Sequence, residues 1–277
     1  MIYFVADIHL GLKAGPGAPA GSLAGASSVA TSGARSFVGA PALSGPEARE
    51  ARFVAWLRSI NRPDTEALWL LGDIWDFWYE YRDVIPREGV RVIAAIVDLL
   101  DAGVKVYFVP GNHDVWLYSF WQKLGVKVVN QPQRIEAAGK RLIVGHGDGL
   151  GGAPIGYRIM SHIFHSKVCQ VLFSTLHPWF AFGFGNGWSN DNRKRHFEYH
   201  FRGTEEPLYR WCKAECEKAA AAGAPVDCCL FGHFHDSVDL PLRLEAAPAS
   251  RLVVLKDWID GGTHFASLAP DGTFSVR

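Results

Sequence analysis

The 277-residue chain lacks a C-x-x-C pair, a surplus of either charge and any apolar run of the roughly 18 residues that a spanning helix needs. Each absence removes a class. Its five cysteines, Cys169, Cys212, Cys216, Cys228 and Cys229, make no disulfide framework and fit reduced thiols. Cys212 and Cys216 share a helical face but have no nearby partners that would complete a metal site. The opening MIYFVADIHLG lacks the basic end, apolar core and small-residue cleavage site of a secretory signal, so a cytoplasmic protein is expected. With 28 basic and 28 acidic residues the formal charge is zero. Nucleic-acid binders usually carry a basic excess that displaces counterions from phosphates, so no nucleic-acid partner is expected.

What is present supports one folded α/β domain over 1–277. Hydrophobic residues make up 48% and aromatics 13%, enough for a large core. Residues 14–46 are almost wholly Ala, Gly, Ser and Pro, and read as a low-complexity mobile insertion without a catalytic role. Strands are expected over Ile2 to Ala6, Leu68 to Leu71, Val104 to Val109 and Val226 to Phe231. Helices are expected from Glu47 to Ile60, with Ala51, Val54, Ala55 and Leu57 near one face, and from Val90 to Leu100, ended by Gly103. Gln133 to Val144 reads as a hairpin turning near Gly139. Leu252 to Ile259 and His264 to Val276 form a β-rich end with its turn at Asp271-Gly272.

Five of these strands end in a polar cluster: Asp7-x-His9, Gly72-Asp73, Gly111-Asn112-His113-Asp114, Gly145-His146 and Gly232-His233-Phe234-His235. Ligand sites of α/β proteins gather at such strand ends. Carboxylate, imidazole and amide oxygens suit divalent Mn, Fe or Zn, and the lack of thiolates argues against structural zinc. In an extended segment D-x-H and H-x-H send both side chains the same way, toward one cavity. Each element alone occurs by chance; five in this order do not.

The order resembles the calcineurin-like metallophosphoesterase superfamily. That resemblance implies a four-layer αββα sandwich and assigns roles. Asp7, His9 and His235 would hold one metal, Asn112, His146 and His233 the other, and Asp73 would bridge them. His113 would sit over the substrate phosphate, oriented by Asp114. The flanks narrow the match. Gly72-Asp73-Ile74-Trp75-Asp76-Phe77-Trp78-Tyr79-Glu80-Tyr81, Gly145 to Gly151, Ile163-Phe164-His165, Cys169 to Phe173, His177-Pro178, Trp188-Ser189 and Asp257-Trp258-Ile259 resemble UDP-2,3-diacylglucosamine diphosphatases of the Bacteroidetes-type branch. The proteobacterial branch carries arginine where this chain has His113. The resemblance implies manganese as the metal, a lipid-linked nucleotide cleaved to UMP and 2,3-diacylglucosamine 1-phosphate in lipid A biosynthesis, and peripheral work at the cytoplasmic face of the inner membrane.

Residues 150–205 are expected to form a helical cap. Apolar residues from Ile159 to Trp188 are mixed there with Arg158, Lys167, Arg193, Lys194 and Arg195, a composition able to hold acyl chains and meet phosphate. Ser189, Arg193, Lys194, Arg158 and Lys167 are the candidate substrate contacts. Pro178 and the run Phe182-Gly183-Phe184-Gly185 are expected to break the segment into two short helices and a loop. Competing readings are a phosphoesterase for cyclic nucleotides or dinucleoside polyphosphates, and an inactive scaffold; the latter would have lost metal residues that are all retained here. The oligomeric state is not legible in the sequence.

Overall fold

In the computed structural model, which describes residues 1–12, 45–185, 187 and 200–277, the core strands divide their side chains between two apolar interiors. Strand β1 (Ile2–Val5) sends Tyr3 and Val5 one way and Ile2 and Phe4 the other; β2 (Ala67–Leu70) separates Leu68 and Leu70 from Ala67 and Trp69. With β3 (Lys105–Phe108) and β4 (Lys127–Val128) they make a parallel run, extended antiparallel by β10 (Ala266–Leu268) and β11 (Phe274–Val276) in the order β11-β10-β1-β2-β3-β4. The second sheet runs β5-β6-β7-β9-β8, with β5 (Gln133–Ala137), β6 (Lys140–Val144), β7 (Cys228–Phe231), β8 (Val238–Pro241) and β9 (Arg251–Val254). Here β6, β7 and β9 are parallel, and the two edge strands antiparallel.

The alternation stacks the layers. Ile2, Phe4, Trp69 and Leu71 meet Leu142, Val144, Leu230 and Val253 between the sheets. Outside the first sheet lie α1 (Gly45–Ser59), α2 (Val90–Asp101) and α3 (Phe120–Leu124), through residues such as Phe53, Ile96 and Trp121. Outside the second, α6 (Pro207–Ala221) lays Leu208, Tyr209, Cys212 and Cys216 on Ile143, Cys229 and Val254. The order helix, sheet, sheet, helix is the expected αββα sandwich. Strands buried on both faces explain why they read as continuous apolar runs rather than alternating ones.

Several boundaries differ from expectation for physical reasons. Gly45 and Pro46, assigned to the insertion, open α1, where a first-turn proline lacks only an N–H that has no intrahelical partner. Ala55 faces solvent, because Phe53, Val54, Trp56 and Leu57 take the buried face of α1 and remove more apolar area from water. The strand expected to reach Ile259 stops at Val254, and Trp258 N–H instead donates to the Asp7 carbonyl at 3.1 Å. Gly103 does end α2, in a left-handed conformation at φ 87°.

Three helical stretches build the segment after β6: α4 (Ile155–His165), α5 (Lys167–Ser174) and residues 178–185. The expected break at 182–185 is therefore a correction. Pro178 stands at the start of its helix, where proline is tolerated, and Gly185 is helical where a Cβ would lie 2.5 Å from the Phe77 ring.

Trp121, fully buried beneath the loop that carries Asp73, touches Trp75, Trp78 and Phe108 with ring centroids 5.2, 5.3 and 5.5 Å away. Trp121→Ala is expected to cost about 3–5 kcal/mol of unfolding free energy. Urea denaturation measures this, and an unchanged midpoint would contradict the packing described.

Candidate metal centre

The parallel strands of both sheets deliver their carboxyl ends to one edge of the sandwich. Asp7 and His9 follow β1, Asp73 follows β2, Asn112 and His113 follow β3, His146 follows β6, and His233 and His235 follow β7. Loops continue the pairing beyond the strands: His9 N–H donates to Asp73 O at 3.0 Å, and Gly232 N–H to His146 O at 2.9 Å. The donor atoms of Asp7, His9 and His235 lie within 4.8 Å of one another, as do those of Asp7, Asp73 and His146, and of His9, Asp73 and His113. Asn112 Oδ1 is 3.2 Å from His146 Nε2, which is 3.4 Å from Asp73 Oδ2. The His233 ring sits 5.0 Å from that of His146, with its main-chain N–H donating to Asp7 Oδ2 at 2.8 Å. All seven sequence-expected metal residues meet in one place.

Three imidazoles are oriented from behind. Nδ1 of His9 donates to Asp76 Oδ1 (3.2 Å), that of His146 to the Leu71 carbonyl (3.0 Å) and that of His235 to Asp257 Oδ2 (3.0 Å). An acceptor on Nδ1 fixes the proton there and turns the Nε2 lone pair toward the centre, the arrangement of a metal-ligating histidine. Sequence reasoning gave no role to Asp76 or Asp257. Both stand in segments that resemble the diphosphatase branch, Asp76 three residues after Asp73, and that position was the available signal.

His113 is placed differently from expectation. Its Nε2 lies 4.0 Å from Asp73 Oδ2, but its ring is held by the Asp76 carbonyl, 2.9 Å from Nδ1, and not by Asp114. The Asp114 carboxylate instead accepts main-chain N–H bonds from Gly111 (2.8 Å), Ile74 (2.8 Å), Asp73 (3.2 Å) and Trp75 (3.4 Å). It staples two strand ends together, and so braces Asp73 rather than the imidazole.

The centre is costly to build. Among the described residues seven non-glycine residues have positive φ, and five are here: Asp7 (55°), His9 (50°), Asp73 (52°), His233 (74°) and His235 (56°). Each such conformation costs roughly 1–3 kcal/mol and clusters at functional sites. Burial penalises every charge in the pocket, and neighbours decide what survives. Burial is outweighed at His9 by Asp7 and Asp76, which lift it to about 9. At His233 burial and the charge of His146 act together and push it to about 4. Burial and the charge of Asp73 raise Asp114 to about 7. Burial opposes the charge on Asp73, yet the His146 and His113 imidazoles hold it well below the carboxylate range. Asp7 Oδ1 and His9 Nε2 are buried without a hydrogen-bond partner, 3.7 Å apart. A divalent cation would satisfy both, so the residues present fit a metal pair.

The segment after Asp76 seats the helices α4 and α5. Tyr79 and Tyr81 hydroxyls donate to the Gln170 and Leu176 carbonyls, both at 3.0 Å, and Trp116 Nε1 donates to Phe164 O at 2.8 Å. Phe173 packs on Tyr79 (4.8 Å) and Trp116 (5.0 Å), and Phe182 on Phe77 (6.0 Å). The opposite face is bare: ten of the fourteen exposed large hydrophobic residues among the described ones fall between Ile155 and Phe184. Arg158 and Lys167 are exposed on these helices, the Lys167 amine 5.9 Å from the centre of the Tyr118 ring. Ser189, Arg193 and Lys194 lie outside the described residues.

Comparison with known proteins gives the family of the chain. The profile of the calcineurin-like phosphoesterase family matches residues 1–237. The chain is similar to the UDP-2,3-diacylglucosamine hydrolase of Porphyromonas gingivalis, 32% identical over 225 residues that cover 77% of this chain and 84% of the relative. It is also similar to proteins of that name from Aeromonas hydrophila (29% identical, 73% and 81% covered) and Stenotrophomonas maltophilia (28%, 76% and 85%).

Closeness of approach is itself testable. A Cβ on Gly232 would fall 2.3 Å from Asp7 Oδ2 and 2.5 Å from the Ala6 Cβ, neither of which is the far end of a flexible side chain. Gly232→Ala is therefore expected to destabilise the fold by about 1–3 kcal/mol, read from the denaturation midpoint; wild-type stability would refute the contact.

Proposed function

We propose, from the premise that this chain belongs to the calcineurin-like phosphoesterase family, that it hydrolyses the pyrophosphate of UDP-2,3-diacylglucosamine to UMP and 2,3-diacylglucosamine 1-phosphate. In this reading Asp7, His9 and His235 would hold one divalent cation and Asn112, His146 and His233 a second, with Asp73 available to both. When bound, the pair, manganese in this reading, supplies Lewis acidity to the phosphoryl group and acidifies water for in-line attack. Asp76, Leu71 O and Asp257 keep three imidazole lone pairs aimed inward. Asp114 holds the Asp73 turn in place through its four main-chain bonds. His113 donates its Nδ1–H to the Asp76 carbonyl, so a neutral ring presents a lone pair at Nε2. Only the imidazolium form, which burial disfavours, carries an Nε2 proton that can stabilise the phosphoryl oxygens or pass to the leaving oxygen.

The lipid part of the substrate rests on one observation: an apolar cap, exposed on its outer face, hung from the loop that begins three residues after Asp73. Monomeric proteins seldom leave such patches without a use. Residues 149–185 contain no aspartate or glutamate, only the cations Arg158 and Lys167 and three histidines, which suits anionic headgroups. Among the described residues no helix is long and apolar enough to cross a membrane. Peripheral contact at the cytoplasmic face of the inner membrane completes the reading.

Asp73→Ala is expected to abolish manganese uptake and lower turnover by several orders of magnitude. His113→Ala should lose about 10²–10⁴-fold in turnover with manganese content intact. Metal analysis beside rate measurement separates the two, and normal activity of Asp73→Ala would end the mechanism. The lipid nucleotide in mixed micelles should be cleaved and UDP-glucose left intact. Equal rates on both would remove the lipid assignment.

A further inference from the structure

The ties from Tyr79, Tyr81 and Trp116 join the cap to the Asp73 and His113 side of the centre. A separate set of side chains joins it to the His146 side. Two residues after His146, the Asp148 carboxylate accepts the Tyr157 hydroxyl of α4 on Oδ2 and Gln131 Nε2 on Oδ1 at 2.5 Å. Gln131 closes the ring by donating also to Asp148 O at 3.1 Å and accepting Gly147 N–H on Oε1 at 2.7 Å. The chain between the two ends is pinned as well, since Gly151 runs so close to the Pro207 carbonyl that a Cβ would lie 2.2 Å from it.

We propose that Asp148 is a positioning residue which, through Tyr157 and Gln131, sets the first cap helix against the His146 half of the metal centre. Helix α4 makes this contact matter: it buries no residue fully and has no side-chain cap at Pro154, so apolar packing alone leaves its first turn weakly held. Gly147, at φ 112°, lets the loop turn directly after the ligand, so any shift of His146 moves the Asp148 acceptor. Metal occupancy and cap position are thereby linked through one carboxylate, without a contact between cap and metal. The inference rests on the reading of His146 as a ligand, and predicts that ordering His146 orders α4.

Amide hydrogen exchange with and without manganese tests this in the full chain. In the wild type, manganese is expected to slow exchange across 155–165 about tenfold, the scale of one hydrogen bond to a charged acceptor. Tyr157→Phe should take up the same manganese yet lose most of that slowing, and should exchange faster at 147–149 even without metal. Asp148→Asn combined with Tyr157→Phe should be no worse than either alone, as expected of one unit. A purely structural role would loosen α4 equally with and without metal. Equal metal-dependent slowing in wild type and Tyr157→Phe overturns the proposal, as does a wild type that binds manganese with no response in α4. A wild type that takes up no manganese refutes the metal reading instead, and unchanged exchange at 147–149 in Tyr157→Phe then refutes the joint as well.

Discussion

Two buried carboxylates, Asp7 and Asp73, share a water-poor pocket with four inward-facing imidazoles, and the rest of the molecule is organised around tolerating that. Like charges and unpaired polar atoms are expensive where the dielectric is low. Left-handed backbone at five of the seven clustered residues adds to the cost. Such a site persists only if the surrounding structure over-determines it and a bound counter-charge repays it. The over-determination is visible: Asp114 takes four main-chain N–H groups from two strand ends, and Asp76 serves His9 with its carboxylate and His113 with its carbonyl.

The αββα layering supplies the rigidity. Strands β1, β2 and β3 of one sheet and β6, β7 and β9 of the other run parallel within their sheets and bring their polar ends to the same edge. Because the interior between the sheets is packed from both sides, those ends cannot drift apart without opening a core that includes Phe4, Trp69, Val144 and Leu230. Burial also explains the cysteines. Cys228 is pushed up to about 12 by desolvation, so it acts as a small apolar residue, and Cys212 and Cys216 fill the space beneath α6.

The cap obeys a different physics. Its inner face is a set of aromatic contacts and side-chain donors from residues 77–81 and Trp116 to cap carbonyls, while its outer face keeps residues such as Ile155, Val168 and Trp179 in solvent at 74%, 69% and 80% exposure. A segment held by a few directional bonds can adjust to a bulky apolar substrate more readily than the sandwich can. That contrast sets a rigid centre beside an adaptable apolar surface.

The amino-acid sequence by itself determined which polar side chains gather and in what order, because D-x-H, G-D, G-N-H-D, G-H and G-H-x-H state both the donor chemistry and the sharp turn after each strand. Apolar runs of strand length separated by amphipathic stretches pointed to sheet covered by helices, and the family resemblance that those motifs carry implied the four-layer sandwich. Tertiary structure alone decided what stands behind the ligands. Asp76 and Asp257 lie 67 and 22 residues from the imidazoles they orient, and no local pattern links them. The same holds for Asp114, whose neighbour in sequence is His113 but three of whose four main-chain N–H partners lie about forty residues away, and for Ala55, displaced from the core by larger neighbours on its own helix. Periodicity and propensity report on neighbours along the chain; hydrogen-bond partners and competition for burial are settled only when distant segments meet.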